Sequence, residues 1–192
     1  MGAPLTDQRA RNKQATREAI TQAALQLAIE FGPNGLALVR VHDIASAAGV
    51  SPRTYNNYFS SREEAICGLH ADQSKRAGEA LRARPADEPL GVALTEAMVE
   101  LFTDPEPDRA GLRMIMLTPE LEGEALKAFT VGETSLAEAI GERTGQDGLC
   151  SEVTAAAVVA AIRVAGKTWL TPAANRPFAD VIRQALGCVL RG

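Results

Sequence analysis

Residues 52–58 concentrate hydrogen-bonding side chains on one predicted face of a short helix. That face is predicted to carry Arg53, Thr54, Asn56 and Asn57. An asparagine amide offers a donor and an acceptor that match an adenine edge, and an arginine guanidinium matches guanine or a phosphate. Tyr58, near the end of the helix, can donate its hydroxyl to a phosphate, whereas Tyr55 and Phe59 are predicted to turn inward. The chemistry predicted for this face is hydrogen bonding to duplex DNA.

The elements on either side of this face have the order of a helix-turn-helix. Val41, Ile44, Ala45 and Ala48 mark one side of a short helix that ends at Gly49, a residue type free to adopt the left-handed conformation. Ser51-Pro52 is typical of the N-cap and first position of the next helix. In such a unit the second helix enters the major groove. Similar hairpins are common in all-helical proteins, so spacing alone leaves a purely structural hairpin as an equal alternative. The polar composition of the second helix favours DNA.

The rest of the chain is predicted to be helical, which gives an all-α fold of about nine helices. An apolar pattern from Ile20 to Phe31 predicts a first helix of roughly four turns after Thr16. Ser61 and Glu64 have the form of a capping box that opens a long helix toward Arg84. Breaks are predicted at residues 85–89, 104–108, 118–120 and 145–148. Ser151 is predicted to cap the penultimate helix, and Pro177 to open the last one.

Charge and cysteine content narrow the class of protein. The net charge of the 192-residue chain is −4, but residues 1–60 carry six basic and four acidic groups, so the remainder is at −6. A polyanion is therefore expected at the N-terminal end, although ordinary surface variation explains so small a difference equally well. Three scattered cysteines and two histidines show no metal-ligand spacing, and we expect no metal and no cofactor. A redox role for a cysteine is the minor alternative.

Other function classes find little support in the sequence. No nucleophile elbow, phosphate-binding loop or paired His and Cys is present, so we do not expect an enzyme. No window approaches roughly 20 uninterrupted apolar residues, and the first 15 residues lack a secretory signal. We therefore expect a cytoplasmic protein without a membrane span.

The apolar residues of the C-terminal two thirds predict a pocket and an interface. Methionines at 98, 114 and 116 can line an apolar pocket, although a filled core is the commoner outcome for any one residue. The pocket candidates are Met98, Leu101, Phe102, Met114, Leu117, Leu121, Phe129 and Trp169. Residues 151–171 are apolar nearly all round the helix, which requires cover on more than one side. Burial within one subunit and dimerisation both satisfy that requirement.

Two segments carry a resemblance to a known family. The stretch "TREAITQAALQLAIEFG" (16–32), followed by "VHDIASAAGVSPRTYNNYFSSREEAI" (41–66), resembles the DNA-binding domain of TetR-family transcriptional regulators. The resemblance implies DNA contacts by Arg53, Thr54, Asn57 and Tyr58. It also implies phosphate contacts by Arg17, Arg40 and Arg62. Two positions depart from the family pattern: Arg40 stands where Thr or Ser usually caps the second helix, and Asn56 replaces an aromatic residue. His42 lies near the start of that helix and is a further candidate for a backbone contact.

The resemblance also implies the organisation of the whole protein. It predicts a DNA-binding domain over residues 1–60 and a ligand-binding and dimerisation domain over residues 61–192. A homodimer through the last two helices would present two recognition helices to a palindromic operator. A small lipophilic effector is implied, and residues 109–129 faintly resemble regulators that sense fatty acyl-CoA. A ligand-responsive repressor is the preferred interpretation. The alternative is a small-molecule binding protein with a vestigial DNA-binding unit.

Overall fold

The computed structural model describes residues 4–145, 148–171 and 175–190, with side chains from residue 8 onward. Within these ranges the fold is all-α: eleven α-helices and two short 3-10 turns, without a strand. The helices are α1 Pro4–Phe31, α2 Val41–Ala47, α3 Pro52–Asn56, α4 Arg62–Ile66, α5 Gly68–Lys75, α6 Ala77–Arg82, α7 Leu90–Thr103, α8 Arg109–Leu117, α9 Glu122–Thr144, α10 Gly148–Trp169 and α11 Phe178–Val189. The 3-10 turns span Pro33–Leu38 and Pro119–Leu121. The predicted fold class is confirmed, and the predicted count of about nine helices is close.

The chain forms two compact units, Met1–Leu69 and His70–Gly192. In the first unit, α1 packs against α2 and α4, and the core includes Ile20, Ala24, Ile44, Tyr55 and Phe59. In the second unit, α10 packs against both α9 and α11, and α6 packs against α7 and α9. The division of functions at residue 60 stays a prediction.

Helix α1 begins about three turns earlier than the prediction placed it. Residues 8–15 are exposed, so the apolar periodicity that marks a packed helix is missing there. This first part of α1 is stabilised instead by side-chain pairs four residues apart, with Gln8 Nε2 donating to Asn12 and Gln14 Nε2 donating to Glu18. Polar straight-chain residues are good helix formers even where nothing packs on them.

The predicted long helix from Ser61 toward Arg84 is wrong, because three shorter helices occupy that span. One half of the predicted capping box is present, because Ser61 Oγ accepts from Glu64 N at 3.0 Å. The Glu64 carboxylate accepts from the Ser60 amide and hydroxyl.

Other helix boundaries lie near the predicted breaks. Asp108 caps α8 by accepting from the amides of Ala110 and Gly111. Ser151 does not cap α10, because the helix already begins at Gly148 and Ser151 lies buried one turn inside it. Pro177 occupies the N-cap position of α11, one residue before the helix. Residues 146–147, part of the predicted break at 145–148, lie outside the described residues.

Candidate nucleic-acid interface and effector pocket

The turn between α2 and α3 is built by Gly49 and Ser51. Gly49 has φ 68°, a left-handed conformation that costs a glycine little. It reverses the chain after α2, and the Val50 amide then donates to the Ala45 carbonyl at 2.9 Å. Ser51 Oγ accepts from the Thr54 amide at 3.0 Å and so caps α3. These local interactions fix where the five-residue helix begins.

Two buried aromatic residues anchor α3 to the first unit. Tyr55 is fully buried and Phe59 is 2% exposed, as their predicted inward orientation requires. The Tyr55 hydroxyl donates to the Ser61 carbonyl at 2.8 Å. Burial, followed by the nearby carboxylates of Glu64 and Glu63, raises the pKa of Tyr55 to about 12. The phenol therefore stays protonated and keeps its hydrogen bond at physiological pH.

The opposite side of α3 is open to water. Arg53, Asn56 and Asn57 are exposed, whereas Thr54 and Tyr58 are half-buried. Thr54 Oγ1 also shares a hydrogen bond of 2.9 Å with Ser51 Oγ, which holds its methyl and hydroxyl in place. The first unit thus presents a short polar helix face on a rigid aromatic base. Which of these side chains contact DNA stays a prediction.

The flanking basic candidates differ in how they are held. The Arg17 guanidinium lies 4.5 Å above the centre of the Phe59 ring, a cation-π geometry. Arg40 is exposed at the N-cap of α2 and makes no side-chain cap, as the sequence predicts. The His42 side chain is 80% exposed, with Nδ1 3.6 Å from the Asp43 carboxylate.

Arg62 has an architectural function in addition to its predicted phosphate contact. Its Nη1 donates to the carbonyls of Ala37 and Val39, at 3.1 and 3.2 Å, and its Nε donates to Glu63. These bonds tie the start of α4 to the turn that precedes α2. The phosphate contact stays a prediction.

Two small cavities lie inside the second unit. One, of about 10 Å³, is lined by Ser74, Ala77, Met98, Phe102, Phe129, Gly132, Val159 and Ile162. The other, of about 20 Å³, is lined by His70, Gln73, Phe102, Pro107, Leu112, Met116, Phe129, Ile162, Gly166 and Phe178. Phe102, Phe129 and Ile162 belong to both walls. Each volume is about that of one water molecule, so a larger ligand requires these side chains to move.

The predicted pocket residues are distributed over several places. Phe102 and Phe129 line both cavities, and Met98 lines the smaller one. Leu101 is buried in the same core cluster. Met114 and Leu121 are also buried, whereas Leu117 is 47% exposed. Trp169 stacks on Phe178 and lies 4.4 Å under the Arg109 guanidinium. Contact of any of them with an effector stays a prediction.

The pocket prediction did not include several residues that line the cavities. His70, Gln73 and Ser74 are polar, and a search for apolar clusters passes over them. Ile162 and Gly166 belong to α10, which the sequence assigned to packing. For the two α5 residues His70 and Ser74, the sequence signal is their spacing: they are four residues apart, which places both on one helix face.

A wider groove of about 600 Å³ runs between α9 and α10. Its wall includes the carboxylates of Glu133, Glu138 and Glu152. An acidic, open groove is poorly suited to a lipophilic ligand. The two inner cavities are therefore better candidates for the effector site than this groove.

Helix α10 has an apolar surface that its own subunit leaves open. Leu149, Val153 and Val164 are 70%, 60% and 52% exposed. By length and composition alone, α10 is also long and apolar enough to cross a membrane, which by itself is weak evidence for a span. The core helices of many soluble proteins pass the same test, and the opposite side of α10, with Ala155, Val158 and Ile162, is buried in the second unit.

Comparison with known proteins agrees with this geometry. The sequence profile of the family described as the MftR C-terminal domain, of TetR type, matches residues 88–192. A relative in Mycobacterium tuberculosis, described as a candidate mycofactocin biosynthesis transcriptional regulator MftR, is 27% identical over 139 residues, which cover 70% of this chain and 69% of the relative.

Solved structures share the fold. The fatty acid degradation regulator FadR of Bacillus halodurans has a TM-score of 0.63 at 18% identity, covering 91% of this chain and 98% of its own. FadR of Bacillus subtilis, solved with stearoyl-CoA, gives 0.60 at 18% identity and covers 91% and 98%. FadR of Thermus thermophilus, solved with lauroyl-CoA, gives 0.59 at 21% identity and covers 92% and 94%.

An N-terminal helix-turn-helix unit followed by a larger helical unit is the organisation of one-component transcriptional regulators. The family profile covers more than half of the chain and makes the assignment specific. The chain belongs to the TetR family of transcriptional regulators.

Proposed function

We propose that this regulator is a repressor that occupies an inverted-repeat operator as a homodimer and leaves it when a lipophilic effector binds. The observation that carries the proposal is the exposed face of α3 on its buried Tyr55 and Phe59 base. A helix held from behind by buried aromatics keeps one orientation, so its exposed side chains can read base edges in the major groove.

The DNA contacts have two functions in this proposal. Arg53, Thr54, Asn56 and Asn57 read bases, and Tyr58 contacts a phosphate. Arg17, Arg40, His42 and Arg62 position the unit on the sugar-phosphate backbone. Phosphate contacts set the affinity and its dependence on salt, whereas base contacts set the sequence preference.

The homodimer is proposed to form through α10 and α11. The exposed Leu149, Val153 and Val164 form an apolar stripe that a second copy can cover, and alanines at 156 and 160 between them allow close approach of a helix. Two subunits related by a twofold axis would present two α3 helices to half-sites one DNA turn, or a multiple of it, apart. Such a regulator acts in the cytoplasm and needs no catalytic activity.

The effector is proposed to be a long-chain acyl-CoA. Two of the three FadR structures above were solved with lauroyl-CoA and stearoyl-CoA, and the inner cavities of this chain are mostly apolar. Because the cavities are small, the acyl chain must displace Phe102, Phe129 and neighbouring side chains from the core. A coupling of about 1–3 kcal/mol between this movement and DNA affinity is enough to release the operator.

The test measures binding to an operator sequence that the full-length protein selects from random duplex DNA. Fluorescence anisotropy should show binding whose affinity falls steeply as salt rises. Palmitoyl-CoA at micromolar concentration should weaken that binding by about 5- to 150-fold, and CoA alone should not. Absence of DNA binding would support the alternative of a vestigial DNA-binding unit, and binding that ignores palmitoyl-CoA would refute the proposed effector.

A further inference from the structure

Two buried polar atoms lie in the walls of the inner cavities. His70 and Ser74 are 8% and 3% exposed. They are four residues apart on α5 and therefore share one helix face. His70 Nε2 and Ser74 Oγ have no hydrogen-bond partner among the residues that the structure describes. A buried polar atom left without a partner destabilises the protein, so a ligand that supplies the partner removes that penalty.

The described residues around these atoms are mostly apolar. Ser74 lines the smaller cavity and His70 the larger one, and the two share the walls formed by Phe102, Phe129 and Ile162. The His70 ring also meets the Phe129 ring edge to face at 4.9 Å. Gln73, the other polar residue of the wall, already donates to the Leu101 carbonyl at 2.6 Å. Movement of the shared side chains would join both cavities along the His70–Ser74 face of α5.

The charge of the wall restricts what can bind. Among the described residues that line the two cavities, none carries a formal charge near neutral pH, because burial lowers the pKa of His70 to about 4. A carboxylate placed there would be buried without a counter-charge, which is costly. An uncharged oxygen that accepts hydrogen bonds has no such penalty. A neutral imidazole carries one N–H, on Nδ1 or on Nε2. The serine hydroxyl can donate a hydrogen bond with either histidine tautomer.

We propose that His70 and Ser74 recognise the carbonyl oxygen of a neutral acyl ester or thioester, which accepts hydrogen bonds from His70 Nε2–H and from the Ser74 hydroxyl. The rest of the acyl chain fills the joined cavities. The inference rests on the proposed response to an acyl effector and adds a selection rule to it: conjugated acyl chains are accepted, whereas free fatty acids and carbonyl-free chains are discriminated against.

The test compares two ligands that differ at the carbonyl. Palmitoyl-CoA has a thioester, and S-hexadecyl-CoA has a methylene group in place of its carbonyl. Isothermal titration calorimetry with the full-length protein at pH 7.5 should give about tenfold tighter binding of palmitoyl-CoA, the value of about one net hydrogen bond. Palmitate should bind more weakly than palmitoyl-CoA.

Two variants test whether His70 and Ser74 cause the preference for palmitoyl-CoA over S-hexadecyl-CoA. His70→Phe keeps an aromatic ring against Phe129, and Ser74→Ala is a small change that protects the test if the first variant folds poorly. Each should move the palmitoyl-CoA to S-hexadecyl-CoA affinity ratio toward one. Ile162→Val is the matched control, because it trims an apolar part of the same wall and should weaken both ligands equally.

An infrared readout checks the hydrogen bond itself. With palmitoyl-CoA labelled by ¹³C at the carbonyl, the bound carbonyl stretch should lie at lower frequency than in an apolar solvent and should rise in either variant. Equal affinities of wild-type protein for the two CoA ligands, or a ratio that survives both substitutions, would overturn the carbonyl inference and leave the acyl effector intact. Failure of both CoA ligands to bind would overturn the effector proposal and this inference together.

Discussion

At the residue scale, neighbouring side chains on α3 and at its C-cap have opposite environments. Tyr55 is fully buried and hydrogen-bonded to the Ser61 carbonyl, while Asn57, two residues later, is exposed. This division could be predicted from the sequence, because Tyr55 and Phe59 are four residues apart and so share one helix face, which the asparagines do not. The environment of His70 could not, because a histidine in a polar stretch does not reveal whether its helix face is covered.

The burial of His70 predicts a specific dependence of stability on pH. Its pKa is lowered to about 4 from an unfolded value of 6.5. Between these values the unfolded chain binds a proton that the folded chain does not, so stability is complete above pH 6.5 and is lost as the pH falls toward 4. At pH 5 the wild-type protein should have lost about 2 kcal/mol through this residue.

Urea unfolding at pH 7 and pH 5 measures this loss. His70→Phe should lose about 2 kcal/mol less than wild type between the two pH values. The carboxyls of Glu88, Glu96 and Glu142 have lowered pKa values because of hydrogen bonds from arginines. They lose their contribution only as the pH falls below their ordinary value of 4.5, so pH 5 separates the two effects. An identical loss in both proteins would show that His70 is not buried as described.

At the element scale, the sequence predicts a helix end best where one residue determines it locally. Gly49 and Ser51 act in this way, and the structure has the turn and the cap that they predict. The start of α1 and the division of residues 62–82 into three helices could not be predicted in this way. The start of α1 has no packed face, so its sequence shows no periodic pattern of apolar residues. The division of residues 62–82 depends on contacts with helices that are distant in sequence.

Close packing of α6 on α9 gives a prediction for two glycines. A Cβ at Gly78 would lie 2.3 Å from the Ser135 carbonyl oxygen, a backbone atom that cannot move aside cheaply. Gly78→Ala should therefore lower the free energy of unfolding by about 1–3 kcal/mol. A Cβ at Gly123, in the first turn of α9, meets nothing within 4 Å.

Gly123→Ala is accordingly the control, and it should leave stability unchanged or raise it by about 0.5–1 kcal/mol because alanine is the better helix former. Denaturant unfolding of both variants makes the comparison. If Gly78→Ala were as stable as Gly123→Ala, α6 and α9 would not approach each other as closely as the structure has them.

At the scale of the whole molecule, the apolar side of α10 is the feature that a single chain leaves unexplained. The sequence shows a helix apolar nearly all round, but it cannot separate the side buried by α9 and α11 from the side left for a partner. The structure makes that separation, because Ala155, Val158 and Ile162 are buried while Leu149, Val153 and Val164 are exposed.

Dimerisation through α10 and α11 predicts different effects for exposed valines. Val153→Glu or Val164→Glu would place a charge in the interface and should raise the dimer dissociation constant by at least about thirtyfold, about 2 kcal/mol. Val92→Glu alters a valine that is 48% exposed on α7 and should have no such effect. Light scattering after size exclusion distinguishes the 20.3 kDa subunit from its dimer. A wild-type protein that stays at the subunit mass, or a dimer insensitive to both α10 variants, would rule this interface out.

The central claim is that the exposed face of α3 reads DNA sequence, and operator discrimination tests it most directly. The quantity to measure is the ratio of dissociation constants for scrambled duplex DNA and the selected operator. Asn57→Ala should reduce this ratio by about tenfold or more, from the roughly 1–3 kcal/mol of one bidentate base contact, without changing Tm or dimerisation. Asn34→Ala, an exposed asparagine in the 3-10 turn Pro33–Leu38, should leave the ratio unchanged. An Asn57→Ala protein that keeps the wild-type ratio, or that weakens equally on both DNAs, would contradict the account.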